Sequence, residues 1–251
     1  IMRRRQRQMC IRDSFKFIKE NKDFNGTISF IITGDEEADS VNGVKKVVKW
    51  LKENSIRIDG SIATESSSEK IIGDQIKVGR KGAVDVQVEI IGKQGHAAYP
   101  QLAQNPLHCL SKVISFFDDQ KLDDGAEYFE PSTLQFTQIN LNNKAKNVIP
   151  EKLITVGDMR FNDNWDQEKI QNYFDEHLTK ICSENNCTYK LKLTFRGMPF
   201  QSFDNPFTKH CIKAIKDVTG LEASQDTGGG TSDARFMQEV CPVFELSLIH
   251  I

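Results

Sequence analysis

The sequence predicts an α/β protein with a discontinuous first domain, residues 15–80 and 196–246, and a second domain inserted into it at residues 81–195. Two observations predict this fold class. A buried-strand pattern at residues 27–33 is followed by a helical apolar stripe at residues 38–54, which is the order of an α/β unit. After residue 81 the pattern changes to alternating apolar and polar residues, which is typical of antiparallel strands with one solvated face.

Three adjacent acids, Asp35, Glu36 and Glu37, follow the predicted strand 27–33 directly. Open α/β sheets place their ligand sites at the carboxyl ends of strands, so these acids are candidate site residues. Adjacent carboxylates repel one another, and a fold that gathers them needs a cation or raises their pKa values. A second short strand ends at Glu65, which adds another oxygen ligand of the kind that zinc accepts. The alternative is that these acids are ordinary solvated loop residues.

The inserted domain is predicted from four strands and two helices in the order β-α-β-β-α-β, which is that of a ferredoxin-like unit. The strands are predicted at 84–90, 133–139, 153–161 and 189–195, and the helices at 105–117 and 165–181. Asn105-Pro106 supplies an N-cap and an N1 proline for the first helix. Ferredoxin-like sheets also bind RNA, but these strands lack the paired aromatic residues of that interface.

The segment Gly92 to Pro100, which we call the histidine loop, directly follows the first strand of the inserted domain. Two glycines free its backbone, and His96 then projects from it as a hydrogen-bond donor near neutral pH. The alternative is an inert surface histidine.

The last part of the chain predicts a helix that begins at Asn205-Pro206 and is stopped by Gly220. A glycine-rich turn, residues 227–233, precedes another helix, and we call this turn the glycine loop. Its backbone N–H groups could hold a carboxylate or a phosphate. It is not a P-loop, because no Gly-Lys-Ser/Thr follows. A final strand is predicted at residues 243–246.

Composition excludes several classes of protein. Of the 251 residues, 38% are hydrophobic and 27% charged, which describes a chain able to bury a sizeable core. A net charge of −2 gives no reason to expect nucleic acid or an anionic membrane as partner. No apolar run approaches the length of a membrane span. The cysteines form no C-x-x-C pair, which favours free thiols in a reducing compartment, and we expect a cytoplasmic location.

Both ends of the chain resemble translated adapter sequence. Residues 1–14 are rich in arginine, and residues 247–251 stop abruptly after the last predicted strand. We expect the first segment to be a non-native leader, the second a non-native tail, and the chain a fragment missing both native ends. A basic arm for nucleic acid or membrane is the alternative for the leader.

In their order and spacing, these segments resemble the succinyl-diaminopimelate desuccinylases, within the di-zinc aminoacylase and carboxypeptidase family. The resemblance covers roughly residues 15–246 and rests on Gly34-Asp35-Glu36-Glu37, Glu65, Gly79-Arg80-Lys81-Gly82, Gln94 to Pro100, Asn147-Val148-Ile149-Pro150, Arg160 and Thr227 to Asp233. It implies a zinc-peptidase-like catalytic domain, with the inserted domain as lid and dimerisation domain.

The resemblance also implies roles for individual residues. Glu36 would be the general base, and His96, reaching across from the lid of a partner subunit, would stabilise the oxyanion. Glu37 and Glu65 would each ligate one of two zinc ions per subunit, with cobalt as a possible replacement. The substrate would be bound by Arg80, Tyr99, Asn147, Arg160, Thr227, Gly228 and Gly229.

The implied reaction is hydrolysis of N-succinyl-LL-2,6-diaminopimelate to succinate and LL-diaminopimelate, for lysine and peptidoglycan-precursor biosynthesis, in a cytoplasmic homodimer. Arginine side chains suit a substrate with several carboxylates, because the guanidinium group binds a carboxylate through two hydrogen bonds. The alternatives are a related deacylase, namely acetylornithine deacetylase, an aminoacylase or a carboxypeptidase, and a non-catalytic fragment that dimerises through its lid.

The sequence departs from the family pattern at several places. Thr64-Glu65-Ser66 replaces Gly-Glu-Pro, and Lys146 stands where an asparagine is usual. The His-x-Asp strand and the bridging aspartate of the family would precede Phe15, and its last histidine ligand would follow Leu246. We therefore expect this chain to be inactive by itself, and we interpret His250 as a coincidental match to that ligand.

Overall fold

The computed structural model describes residues 2–34, 41–230 and 232–247, without the side chains of the first ten residues. The chain divides into two compact units. The first unit consists of residues 1–80 and 200–251, and the second is the continuous stretch 81–199. Among the described residues, every helix is too short or too polar to cross a membrane.

Both units combine helices with strands. The described helices are α1 (Met2–Glu20), α2 (Val44–Glu53), α3 (Pro106–Asp118), α4 (Gln167–Glu184), α5 (Pro206–Thr219) and α6 (Ala234–Met237), with a 3₁₀ turn at Pro100–Leu102. The described strands are β1 (Ser61–Ala63), β2 (Gln75–Lys77), β3 (Gly79–Arg80), β4 (Gly82–Ile91), β5 (Gly95–His96), β6 (Thr133–Asn140), β7 (Val148–Ile149), β8 (Lys152–Phe161), β9 (Thr188–Gly197), β10 (Phe200–Gln201), β11 (Ser224–Asp226) and β12 (Val243–Glu245).

The second unit is an antiparallel sheet with two helices against one face. Its strand order is β6-β8-β4-β9. Val84, Val86 and Val88 alternate along β4 and are fully buried against α3 and α4. Phe174 of α4 and Phe117 of α3 join the same core, with ring centroids 5.1 Å apart. The predicted β-α-β-β-α-β order is confirmed.

Helix starts follow the predicted capping chemistry in both units. The side chain of Asn105 accepts a hydrogen bond from the Leu107 N–H at 3.0 Å, and Asn205 accepts one from the Phe207 N–H at 2.8 Å. In each case a proline occupies the first helical position. Gly220 ends α5 with φ at 75°, a left-handed conformation that glycine adopts without strain.

The first unit contains a mixed sheet with the order β1-β12-β2-β11. Strands β1 and β12 are parallel, β12 and β2 antiparallel, and β2 and β11 parallel. Val48 of α2 and Met237 of α6 share one buried cluster, whereas α5 packs against a second cluster around Phe244. A separate short antiparallel pair, β3 with β10, places Arg80 opposite Phe200.

The predicted strand at residues 27–33 is wrong. The segment is irregular, and its apolar side chains are exposed, with Ile28 at 40% and Ile32 at 68%. An apolar β-branched run forms a buried strand only where a neighbouring strand supplies backbone partners. In the part of the chain that the structure describes, β1 pairs with β12 alone and residues 27–33 join no sheet.

Other sequence predictions for the first unit have different outcomes. The helix predicted at residues 38–54 begins only at Val44. The acids Asp35, Glu36 and Glu37 lie outside the described residues, as does His250. Helix α1 runs through residue 14 without a break, so the boundary of the leader stays a prediction.

The cysteines that the structure describes are free thiols, as predicted. The sequence did not indicate that some of them would meet. The Sγ atoms of Cys109 and Cys182 lie 3.7 Å apart between α3 and α4, where both residues are almost completely buried.

Candidate functional site

Most of the predicted site residues that the structure describes form one group in each unit. One group lies around the glycine loop of the first unit and contains Arg80, Thr227, Gly228 and Gly229. His96, Tyr99 and Asn147 meet at the histidine loop of the second unit. Arg160 contacts Asp158 within β8, Glu65 lies two residues after the end of β1, and Glu36 and Glu37 lie outside the described residues.

Arg80 lies in a buried ion pair. Its Nε atom is 3.0 Å and 3.1 Å from the two carboxylate oxygens of Glu245, and its Nη2 atom donates to the same carboxylate. Its Nη1 atom donates to the carbonyl oxygen of Gly228. The side chains are 7% and 1% exposed for Arg80 and Glu245. All three guanidinium nitrogens therefore already donate within the first unit, and binding of a substrate carboxylate by Arg80 stays a prediction.

The glycine loop continues directly from β11. Thr227 is buried, and the Gly228 N–H donates to Oδ2 of Asp226 at 3.1 Å. Asp226 is also paired with Lys77 of β2. Burial by itself raises the pKa of Asp226, but the hydrogen bond and charge of Lys77 outweigh it and lower that pKa below its ordinary value. Gly229 has φ at 96°, and a Cβ atom there would collide with Nη1 of Arg80.

Strand pairing fixes the histidine loop. The β5–β7 pair sets His96 opposite Val148, and the Ala97 N–H donates to the Asn147 carbonyl oxygen at 2.9 Å. The rings of His96 and Tyr99 are 5.9 Å apart, and both side chains are exposed. This arrangement holds an accessible imidazole next to an amide and a phenol.

The hydrogen bonds of His96 indicate its tautomer. Its Nδ1 accepts from the Ala98 N–H at 3.1 Å, so in the neutral ring the proton resides on Nε2. Nε2 lies 3.3 Å from the side-chain amide of Asn147. A protonated Nε2 requires the oxygen of that amide to face it, and the oxygen and nitrogen of an amide are exchanged by a simple rotation. Nε2 is therefore a donor, which is the property that oxyanion stabilisation requires.

Arg160 lies in a charged network on the solvated face of the second sheet. Its Nε and Nη2 atoms donate to Asp158 at 2.6 Å and 3.1 Å. Asp158 is shared with Arg196, which also contacts Asp85 at 3.0 Å. Burial alone raises the pKa of Asp158, but the two arginines outweigh it and lower that pKa. Arg160 is half-buried, and its Nη1 atom is the nitrogen that does not face Asp158.

Glu65 is the one predicted zinc ligand that can be located. It is half-buried, two residues after the end of β1, and its N–H donates to the Ala63 carbonyl oxygen at 3.1 Å. Its carboxylate suits zinc as a donor. Among the described residues, no three side chains of His, Cys, Asp or Glu converge as a metal site, so the two-zinc centre stays a prediction.

Sequence reasoning missed Glu245 and Asp226 as members of the glycine-loop group. A signal for Glu245 was present, because an acid interrupts the apolar run Val243-Phe244-Glu245-Leu246. A carboxylate inside a buried strand requires a partner, and here the partner is Arg80. Asp226 carried no comparable signal, because it follows the polar residues Ser224 and Gln225 and interrupts no apolar run.

Comparisons with known proteins agree with this architecture. Residues 78–186 match the family described as the peptidase dimerisation domain. Succinyl-diaminopimelate desuccinylase of Orientia tsutsugamushi (strain Ikeda) is 38% identical over 236 residues, which are 94% of this chain and 60% of that protein. The same enzyme of Ehrlichia canis is 39% identical over 225 residues, 89% of this chain and 58% of that protein. The chain thus spans about 60% of the length of these curated relatives.

Solved structures show the same fold. A tripeptidase from Staphylococcus aureus superposes with a TM-score of 0.75 at 22% identity, over 93% of this chain and 59% of that one. An aminopeptidase from Bacillus cereus superposes with a TM-score of 0.74 at 19% identity, with the same coverage of 93% and 59%.

Proposed function

This chain resembles the succinyl-diaminopimelate desuccinylases over about nine tenths of its length, and from that premise we propose that its protein hydrolyses N-succinyl-LL-2,6-diaminopimelate to succinate and LL-diaminopimelate. The single observation that carries the proposal is the extent of the identity, which reaches well beyond the dimerisation domain into the first unit. Because the chain covers about 60% of these relatives, the activity is a proposal about the whole protein.

In this proposal His96 stabilises the oxyanion that forms when the amide carbon is attacked. The exposed position of its side chain and its Nε2 donor, set by the Ala98 hydrogen bond to Nδ1, support that role. Asn147 holds the ring and can itself contact the substrate amide. Removing one donor of this kind typically lowers turnover by about a hundredfold to a thousandfold.

Glu36 accepts the proton of the attacking water, and Glu37 and Glu65 help to hold two zinc ions, or cobalt in their place. A zinc ion bound there would polarise the amide carbonyl and lower the pKa of water. These assignments rest on the family resemblance and on the position of Glu65 after β1.

The substrate's carboxylates are bound, in this proposal, by the glycine loop and by Arg160. The loop offers the backbone N–H group of Gly229 beside buried Thr227, and Gly228, whose own N–H donates to Asp226, holds this part of the loop in place. The Nη1 atom of Arg160 points to no described carboxylate, although its other two nitrogens contact Asp158. Tyr99 completes the proposed set, whereas the guanidinium of Arg80, which the family resemblance also placed there, is already bound to Glu245 and Gly228.

We further propose a cytoplasmic homodimer formed through the second unit, with no nucleic acid or membrane as partner. The match to a dimerisation domain supports this assembly. The two edge strands of its sheet differ, because β9 carries exposed Lys190 and Lys192 whereas β6 has no charged residue and leaves Ile139 55% exposed. Lysines on an edge oppose pairing with another chain, so β6 is the favoured contact.

The proposal is tested with the full-length gene product and three substrates: N-succinyl-LL-diaminopimelate, acetylornithine and a tripeptide. Release of succinate from the first should exceed cleavage of the other two by about a hundredfold in kcat/KM, since a site built for charged groups discriminates strongly. Faster cleavage of acetylornithine or of the tripeptide would instead assign the chain to a related deacylase or peptidase.

A further inference from the structure

Both backbone polar groups of Gly228 are bound by charged side chains. Its N–H donates to Asp226 at 3.1 Å, and its carbonyl oxygen accepts from Nη1 of Arg80. A glycine in an exposed loop is otherwise among the least constrained residues of a chain. Here one residue is held from two sides by groups on different strands, β11 and β3.

Each of these side chains is itself braced by an ion pair. Asp226 pairs with Lys77, and Arg80 pairs with Glu245. The two ion pairs are connected through one sheet, because Lys77 of β2 and Glu245 of β12 are register partners. Glu245 additionally accepts a hydrogen bond from Ser232, on the other side of the glycine loop. The loop is thus tied to the sheet at both of its ends.

A ligand role for Arg80 conflicts with this geometry. If its guanidinium turned to a ligand, Glu245, which is only 1% exposed, would lose its ion-pair partner, and breaking a buried ion pair is strongly destabilising. The exposed groups are instead the backbone of Gly229 and Gly230. A side chain at Gly229 would be strained, because φ is 96° and its Cβ would collide with Nη1 of Arg80 in the present arrangement.

We propose that Arg80 and Asp226 are positioning residues, which clamp Gly228 so that the backbone of the glycine loop is shaped in advance to receive a carboxylate. Recognition at this loop then falls on its peptide N–H groups, and Arg80 acts through them without touching the ligand. The proposal rests on the proposed function for the identity of that carboxylate.

The clamp is tested first without any ligand, by amide hydrogen exchange measured by NMR on the complete chain. In Arg80→Met, exchange at Gly228, Gly229 and Gly230 should rise roughly tenfold to a hundredfold, as expected when a hydrogen bond to a charged group is lost. Arg80→Lys, which keeps a charged donor, should restore much of the protection. Asp226 is only partly buried, so Asp226→Asn carries the test if Arg80→Met does not fold.

The matched control is Lys52→Met, which removes the exposed Lys52–Glu239 ion pair of the same unit. Its loop amides should exchange as in the unmodified chain. Unchanged loop exchange in both Arg80→Met and Asp226→Asn would overturn the clamp.

Succinate is then added as probe, with the backbone amides and the Arg80 Nε–H followed together. The clamp predicts the largest shifts at Gly229 and Gly230, weaker binding in Arg80→Met, and recovery in Arg80→Lys. A larger shift at the Arg80 Nε–H than at the loop amides would make Arg80 a ligand and overturn the proposal. A third outcome is faster loop exchange in the variants together with no succinate binding by any of the proteins. That result would support the clamp and count against the desuccinylase function.

Discussion

Single residues in this protein have their chemistry set by hydrogen bonds that the sequence does not display. His96 was recognisable as a candidate from its glycine-flanked loop, but its tautomer follows from the Ala98 N–H. Arg80 was a candidate through the family resemblance alone, and its partner Glu245 is 165 positions away, so only the fold brings them together. The sequence can therefore identify a candidate site residue, whereas the hydrogen-bond partners of that residue depend on contacts that only the fold creates.

The role of His96 predicts a specific loss. In the full-length gene product, His96→Ala should lower kcat by about a hundredfold to a thousandfold and leave metal content unchanged, because the residue is assigned to charge stabilisation and not to metal binding. Turnover and metal analysis on the same samples check this. The control is His108→Ala, another exposed histidine of the second unit. Loss of metal in His96→Ala would show that His96 is a ligand.

Asp123 predicts a pH dependence of stability in the second unit. Burial alone raises its pKa, but hydrogen bonds from Ser132, Trp165 and Gly125 outweigh it and lower the pKa from 3.8 to about 2. Because the folded pKa lies below the unfolded one, this stabilisation is complete above about pH 4 and is lost as the pH falls towards 2.

Acid unfolding of Asp123→Asn should accordingly show a weaker pH dependence than the unmodified chain between about pH 4 and pH 2. Circular dichroism at a series of pH values measures it. Asp124→Asn, whose side chain is 87% exposed, is the matched control and should follow the unmodified chain. Equal pH dependence in all three proteins would contradict the role given to Asp123.

At the scale of elements, the second unit was predictable because its strands alternate and its helices carry their caps in the sequence. The alternation of Val84, Val86 and Val88 with polar residues indicates which face of β4 is buried, even without knowledge of the elements that pack on it. The same reasoning gave a wrong strand at residues 27–33, because a continuous apolar run does not indicate which face is buried. Such a run forms a strand only beside a neighbouring strand. The histidine loop was found from local glycines, whereas the braces of the glycine loop join strands that are far apart in the sequence.

Capping of α3 gives a prediction at this scale. Asn105→Ala should lower the free energy of unfolding of the second unit by about 1 kcal/mol, because the N–H of Leu107 loses its side-chain acceptor. Asn105→Ser, which retains a capping oxygen, should lie close to the unmodified chain. Denaturant unfolding followed at Trp165 measures both, and an equal loss in the two variants would mean that packing of Asn105, not capping, is responsible.

At the scale of the whole molecule, the difference between the two edges of the second sheet predicts the dimer contact. Ile139→Lys on β6 should weaken self-association, because a lysine on an edge strand opposes pairing with another chain. Sedimentation over a range of concentrations measures the dimer dissociation constant, for which we expect an increase of about tenfold or more, since unpaired buried charge is costly at an interface.

Thr194→Lys on β9 is the matched control, since it adds the same charge to the other edge. It should leave the dissociation constant unchanged. Loss of the dimer in Thr194→Lys and not in Ile139→Lys would move the contact to β9.

The points where the chain enters and leaves the second unit are neighbours. Ala83 and Gly197 are register partners on β4 and β9, and Arg80 and Phe200 are partners on β3 and β10. A two-residue turn such as Asn-Gly between Arg80 and Phe200 would therefore close β3 and β10 into a hairpin. The second unit is in this sense a cassette, which can be excised or exchanged for another domain without cutting a strand of the first unit's sheet.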